Sequence, residues 1–116
     1  MPKIENPKFT YTEQEPSYTV TIHIAGNYDR IEQVCSDYCS EVGMCVNIKP
    51  TNFIYTYGEQ SGAEIQLISY PKFQPTLGLS RRKAQILCER LVDEVNQKSA
   101  TITDPKRSLY IERKEL

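Results

Sequence analysis

The four cysteines are the residues best suited to metal binding or nucleophilic chemistry, because thiolates bind zinc and attack electrophiles. Cys35 and Cys39 are spaced one helical turn apart, and Cys45 and Cys88 complete the set. Paired Cys-x-x-Cys motifs, which are typical of structural zinc sites, do not occur in the sequence. Because Cys35, Cys39 and Cys88 fall on the apolar stripes of predicted helices, we predict core thiols and no metal site.

His23 is the single histidine, and a cysteine nucleophile activated by a base would need it. It lies on the face of a predicted strand opposite Ile22 and Ile24, which should face the helices. That orientation turns His23 away from the helix cysteines, and only Cys45 could share its face. Paired carboxylates and phosphate-binding glycine loops are also missing from the sequence. We therefore predict no catalytic residues and expect no enzyme.

A run of three cations, Arg81, Arg82 and Lys83, lies at the start of the second predicted helix. Positive side chains in this position oppose the helix dipole. Together with free backbone N–H groups, however, they could hold an anion. We predict a binding site for a small anion or nucleotide here, with solvated surface charge as the alternative.

Aromatic side chains crowd a predicted hairpin and the loop that follows it. Such rings suit protein interfaces, where the ring is buried while a tyrosine hydroxyl still finds a partner. We predict an interface made of Phe53, Tyr55, Tyr57, Tyr70 and Phe73. The alternative is that these rings simply cover the sheet.

The first third of the chain reads as an arm, a strand and a helix. Prolines among polar residues mark residues 1–16 as an extended arm, because proline is excluded from helix interiors and central strands. Apolar and polar residues alternate over 17–25, which predicts a half-buried strand. Helical spacing then predicts a first helix over about 28–41 that ends at Gly43.

Residues 44–70 are predicted to form a long hairpin. Alternation resumes after the first helix, and Pro50 should interrupt the outgoing strand with a bend or an edge bulge. Gly58 and Gly62 indicate the turn, and the residues from 63 onward form the return strand.

The second helix and two short strands complete the chain. Ser80 is the predicted N-cap of a helix whose apolar stripe extends to Val95. Two extended runs, 100–103 and 108–112, flank a turn at Asp104.

The resulting order of elements predicts a ferredoxin-like β-α-β-β-α-β sandwich. In this α+β fold, two helices pack on one face of an antiparallel sheet, and here an extra short C-terminal strand is added. We assign residues 1–16 to an N-terminal arm and residues 17–116 to a single domain.

Charge and hydropathy exclude several classes of partner. Fourteen basic and fifteen acidic side chains leave a net charge of −1, which offers no general attraction for polyanions. The predicted open sheet face carries Glu64 and only Tyr70 as a stacking platform, so we expect no nucleic-acid partner. Without a signal peptide or a membrane-length apolar run, we predict a cytoplasmic protein with reduced thiols and no membrane association.

These observations favour a small non-enzymatic interaction domain, an inhibitor or regulator that binds another protein or its own copies as a homo-oligomer. A viral protein would fit this interpretation. The alternative is a module that sequesters or senses a small anionic ligand or nucleotide through Arg81, Arg82 and Lys83. Neither interpretation needs a cofactor, and we predict none.

Overall fold

A computed structural model describes residues 5–72 and 75–114, and within them two helices and five strands follow one another. The order is the predicted β-α-β-β-α-β with one added C-terminal strand. The elements are β1 (Thr19–Ala25), α1 (Tyr28–Val42), β2 (Asn47–Tyr55), β3 (Gly58–Ile68), α2 (Leu77–Glu94), β4 (Ser99–Thr103) and β5 (Ser108–Glu112).

All strands belong to one antiparallel sheet with the order β2-β3-β1-β4-β5. The connection through α1 passes over β3, and the connection through α2 passes over β1. This is the strand order of a ferredoxin-like sandwich, so the predicted fold class is confirmed. The strands β2 and β5 form the two edges of the sheet.

One face of the sheet packs against both helices and forms the core. On β1, Val20, Ile22 and Ile24 are at most 1% exposed, and Leu87 and Leu91 of α2 are fully buried above the sheet. Burying each such side chain stabilises the fold by about 1.5–3 kcal/mol. Alternate residues of the same strands point to the opposite face, which we call the open face.

The limits of α1 follow from its caps. The Asn27 side chain accepts a hydrogen bond from the Arg30 backbone N–H at 2.9 Å. At the other end, Gly43 adopts a left-handed conformation, with φ of 67°, and its N–H donates to the Cys39 carbonyl. Glycine is favoured there because a side chain would be strained. The helix therefore begins and ends close to the predicted positions.

The hairpin differs from the prediction at two places. β2 continues through Pro50, which pairs with Ala63, so the predicted interruption is wrong. Proline is tolerated because β2 is an edge strand and needs no N–H on its outer side. The turn lies between the paired residues Tyr55 and Gly58, and the predicted turn at Gly58–Gly62 is also wrong.

Gly62 lies inside β3 for a steric reason. A Cβ at this position would collide with the carbonyl oxygen of Ile24 on the neighbouring strand β1. The glycine therefore marks a close approach of two backbones, which in sequence resembles a turn signal.

The helix α2 begins earlier than predicted. Thr76 is its N-cap, and its hydroxyl oxygen accepts a hydrogen bond from the Leu79 N–H at 3.1 Å. Ser80, the predicted cap, is buried inside the helix. As a consequence, Arg81 belongs to the second turn of the helix, away from its free N–H groups.

The arm contains neither helix nor strand over residues 5–16. It is held against the loop before α2, because the Gln14 amide and the Tyr18 hydroxyl both donate to the Pro75 carbonyl. The division into an arm and a domain remains a prediction. Neither described helix is long and apolar enough to cross a membrane.

Candidate functional site

Strand register aligns four polar side chains in one row across the open face. Lys49 on β2 pairs with Glu64 on β3, Glu64 pairs with His23 on β1, and His23 pairs with Thr101 on β4. Because side chains alternate between the faces of a sheet, paired residues share a face. The row is therefore a direct consequence of how the strands pair.

Glu64 is the charged centre of this row. Its two carboxylate oxygens lie 3.7 Å from His23 Nδ1 and 3.6 Å from Lys49 Nζ. Both contacts are longer than hydrogen bonds, and the His23 and Glu64 side chains are each 29% exposed. A carboxylate held this loosely can still accept a donor or a cation from a ligand.

His23 is held from its other side as well. A hydrogen bond of 2.9 Å joins its Nε2 atom to the hydroxyl of Thr103 on β4. The imidazole is thus fixed between β3 and β4, with one ring nitrogen directed at an acid and the other at a hydroxyl.

A depression of about 500 Å³ lies next to the row, and we call it the open-face pocket. It forms where Ala25 pairs with Gly62, since these small residues leave room above the sheet. Its volume lies within the range typical of small-molecule sites. The walls combine an aromatic ring, an amide, hydroxyls and the imidazole, supplied by Phe53, Gln60, Ser99, Thr101 and His23.

A larger cleft of about 640 Å³ separates the arm from the loops that flank α2 and β4. Its walls include Pro16, Tyr18, Leu77 and Pro105. Among the described residues, Gln14 Oε1 in this cleft is buried without a hydrogen-bond partner. We nevertheless regard the open-face pocket as the candidate site, because charged side chains contact one another beside it.

The predicted anion site is only partly assembled. Arg81 and Arg82 line a shallow cleft on α2 together with Arg107 from the turn after β4. Lys83 does not line this cleft, and its carbonyl accepts a long hydrogen bond from Tyr38. Helical spacing directs Lys83 to another side than Arg82, and the binding role of the three cations remains a prediction.

The predicted aromatic interface is spread along the hairpin. Tyr55 and Tyr57 are exposed at its turn, whereas Phe53 forms a wall of the open-face pocket. Tyr70 lies near the opposite end of β2, where its hydroxyl donates to the Asn47 side chain. Phe73 lies outside the described residues. The structure does not gather the described four into one patch, and their role as an interface remains a prediction.

The four cysteines differ in their exposure to solvent. Cys35 and Cys88 are buried, and burial raises the pKa of each thiol to about 12. Cys39 is half-buried, and Cys45 is exposed. In the described part of the chain, no group of three or more His, Cys, Asp or Glu side chains could hold a metal ion.

The cysteine–histidine pair considered from the sequence is not assembled beside the candidate site. Cys45 lines a shallow pocket between α1 and β2, with Cys39 and Met44. His23 lines the open-face pocket instead.

Sequence reasoning did not identify the contacts among His23, Glu64 and Lys49 as a site. The signal was present in part, because alternation assigns all three side chains to the open face. Their contact also requires β3 to lie between β1 and β2, which is a long-range feature of the fold. The Thr103 hydrogen bond likewise depends on the position of β4.

The structure belongs to one class by its fold: a ferredoxin-like sandwich, here with a polar pocket on its open face. No protein-family profile matches the chain, and no curated protein sequence matches it. Two solved structures of phage SAM lyase have a similar fold. The apo state superposes with a TM-score of 0.71 at 15% identity and covers 92% of this chain and 99% of the lyase chain.

The second structure is a phage SAM lyase in complex with S-methyl-5'-thioadenosine. It superposes with a TM-score of 0.65 at 13% identity and covers 90% of this chain and 96% of the lyase chain. Identities this low establish the fold alone.

These neighbours correct the functional interpretation of the sequence. They are enzymes that act on S-adenosylmethionine (SAM), and their fold extends over nearly the whole chain. The prediction of a non-enzymatic interaction or regulatory domain is therefore wrong, and its protein partners find no support. The alternative of a small-ligand module is closer to what the comparisons found.

Proposed function

We propose that this protein is an enzyme that binds SAM in the open-face pocket and cleaves it to S-methyl-5'-thioadenosine. The observation that carries this proposal is the likeness to SAM lyase over 92% of this chain and 99% of the neighbour. Because the likeness extends over nearly the whole of both chains, little extra chain remains to support a different site.

The chemistry of SAM matches the groups around the pocket. SAM carries two positive centres, the sulfonium and the ammonium, and Glu64, whose contacts with His23 and Lys49 are longer than hydrogen bonds, supplies negative charge beside the pocket. The Phe53 ring offers a surface on which an adenine can stack. Hydroxyl groups of the ribose find partners in Gln60 and Thr101.

The reaction breaks the bond between the sulfonium sulfur and the γ-carbon of the amino-acid fragment. Sulfur retains the electron pair and becomes the neutral thioether of S-methyl-5'-thioadenosine. Because a lyase adds no water, the γ-carbon must gain electrons from within the same fragment. Either the substrate carboxylate attacks it and closes a lactone, or a β-C–H bond supplies the pair and its proton goes to a base.

Glu64 has a defined part in each route. In lactone formation no protein group receives a proton, and Glu64 holds the substrate ammonium so that the carboxylate can reach the γ-carbon. In elimination, Glu64, which contacts the pocket-lining His23, is the acid that we assign to accept the β-proton. In both routes His23, held by Thr103, positions the Glu64 carboxylate through their 3.7 Å contact.

The test is product formation from SAM labelled in its methyl group, followed by NMR and mass spectrometry. We expect labelled S-methyl-5'-thioadenosine, together with a lactone or an unsaturated amino acid that identifies the route. Glu64→Gln should lower kcat/KM by about 100-fold or more, because the amide neither balances a cation nor accepts a proton. Glu59→Gln is the matched control, since Glu59 lies on the same strand and alternation directs it to the other face.

Two results would contradict the proposal. If the wild-type protein releases no S-methyl-5'-thioadenosine and calorimetry detects neither SAM nor this product bound, both binding and cleavage are refuted. If cleavage occurs but Glu64→Gln and Glu59→Gln behave alike, the activity is retained and the open-face pocket is the wrong site.

We extend the proposal to the setting of the protein. A substrate that circulates in the cytoplasm favours a cytoplasmic enzyme. The phage source of both neighbours supports a viral origin. Fractionation of infected cells with an antibody against the protein would test both statements.

A further inference from the structure

A second cleft on the molecule is rich in arginine and is not used by the proposed reaction. It is an open depression of about 500 Å³ between the first turns of α2 and the turn that joins β4 to β5. Arg81, Arg82 and Arg107 supply its charge, and Gly78, Gln85 and Ile86 complete the lining. We call it the arginine cleft.

The Asp104 carboxylate connects α2 to the turn after β4 beside the arginine cleft. Its side chain is only 2% exposed, and its carboxylate accepts two hydrogen bonds from the Arg81 guanidinium, at 2.8 and 2.9 Å. It also accepts bonds from the backbone N–H groups of Lys106 and Arg107. The neighbouring Arg81 guanidinium and these N–H groups lower the pKa of the Asp104 carboxyl.

The acid is thus fully engaged, and Arg82 together with the loosely paired Arg107 can bind another anion. Arg107 is 47% exposed, and its Nε lies 3.5 Å from Asp104, beyond a normal hydrogen bond. Arg82 is exposed and has no charged or hydrogen-bonded partner among the described residues. Three guanidinium groups facing one carboxylate leave an excess of two positive charges in a single cleft.

We propose that the arginine cleft binds the phosphate group of a small molecule, at a site separate from the SAM pocket. Arginine presents paired N–H donors that match two oxygens of a phosphate. The fixed Arg81–Asp104 pair gives one wall a defined geometry, so that less side-chain freedom is lost on binding. SAM and S-methyl-5'-thioadenosine contain no phosphate, so the ligand is a different molecule.

The ligand is a small phosphate, free or esterified, rather than a nucleic acid. A net charge of −1 gives the whole chain no general attraction for a polyanion. The arginine cleft lies at the end of the sheet where β4 ends at Thr103, whereas the SAM pocket lies near Ser99 at the other end of that strand.

The experiment is a titration of the ¹⁵N-labelled protein by NMR with inorganic phosphate, adenosine monophosphate (AMP) and adenosine. We expect saturable shifts centred on the arginine cleft with both phosphate-bearing probes, at a Kd of about 1 mM or tighter, and none there with adenosine. Tighter binding of AMP than of phosphate would identify an organic phosphomonoester, and equal binding would identify the free anion. Either result supports the site.

Two variants test the assignment without disturbing the Arg81–Asp104 pair. The double change Arg82→Gln and Arg107→Gln should weaken AMP binding by about tenfold or more while leaving SAM cleavage unchanged. Lys114→Gln is the control, because it removes a cation beyond the other end of β5. The proposal is overturned if no probe saturates below about 10 mM, if adenosine binds the cleft as well as AMP, or if the double variant binds AMP as the wild type does.

Discussion

The two faces of the sheet have opposite compositions although they are built from the same strands. On β1, Ile22 is completely buried beneath the helices, while its neighbour His23 points to the open face and contacts Glu64 at 3.7 Å. On β3, buried Ile65 is followed by the partly exposed Gln66. One face therefore carries the packing energy, and the other carries the groups able to bind a ligand.

This division explains how the fold can persist at low sequence identity. The helix face requires only apolar residues of suitable volume at alternate positions, and many sequences meet that requirement. A similar fold with a TM-score of 0.71 at only 15% identity is consistent with this weak constraint on the core residues. The open face is less constrained by packing, so its residues must be judged from their contacts rather than from the fold.

The largest effect should come from the helix face. Ile22→Ala removes a fully buried side chain from the central strand and should lower the free energy of unfolding by about 2–5 kcal/mol, through lost burial and a cavity. Thr21→Ala, on the open face of the same strand, should cost less than about 1 kcal/mol. Urea denaturation of both variants measures the difference. Equal losses of unfolding free energy in the two variants would mean that the open face contributes as much to packing as the helix face, which would contradict the difference between them.

Much of the helix face could be predicted from the sequence. The alternation over Tyr18 to Ala25 predicts which side chains of β1 are buried, and the apolar stripe from Ala84 to Val92 does the same for α2. Burial at each position can be predicted there because it depends on the polarity of that residue alone. Pro50 misled the prediction, because a sequence does not reveal that its strand lies at an edge. Ser80 misled it as well, because the helix begins one turn earlier with Thr76 as its cap.

The open face could be predicted only as a set of residues. His23, Lys49 and Glu64 are far apart in the chain, and their contact depends on which strands are neighbours in the sheet. Asp104 was predicted as a turn residue, and nothing in the sequence indicated that it would engage Arg81. The site therefore required the fold, because binding groups meet through register rather than through local pattern.

A medium effect is expected at Asp104, which follows the end of β4 and contacts Arg81 of α2. Asp104→Asn leaves the Arg81 guanidinium without its acid and weakens the turn after β4, so the free energy of unfolding should fall by about 1–3 kcal/mol. Thermal and urea denaturation at pH 7 would measure the loss. Asp93→Asn is the control, because that acid is 73% exposed in its pair with Arg113 and should cost about 0.5 kcal/mol at most.

The same carboxylate should make stability depend on pH. The pKa of Asp104 is lowered in the folded protein, so the unfolded chain takes up the proton first as the pH falls. Its contribution is complete above the unfolded pKa of about 3.9 and is lost progressively below it. Between pH 5 and pH 3, the wild type should therefore lose more stability than Asp104→Asn. Parallel curves for the two proteins would show that the ion pair does not stabilise the fold.

The smallest effect concerns the reactivity of the buried thiols compared with that of the exposed one. Cys88 is fully buried and Cys35 is 3% exposed, and burial raises the pKa of each to about 12, so both should resist iodoacetamide in the folded protein. Cys45 is exposed and should react first, and its modification should change the free energy of unfolding by less than about 0.5 kcal/mol. Peptide mass spectrometry over a time course, with a urea-unfolded sample as control, would measure each rate. Fast labelling of Cys88 without denaturant would mean that α2 opens readily, so that the helix face would be no more protected than the open one.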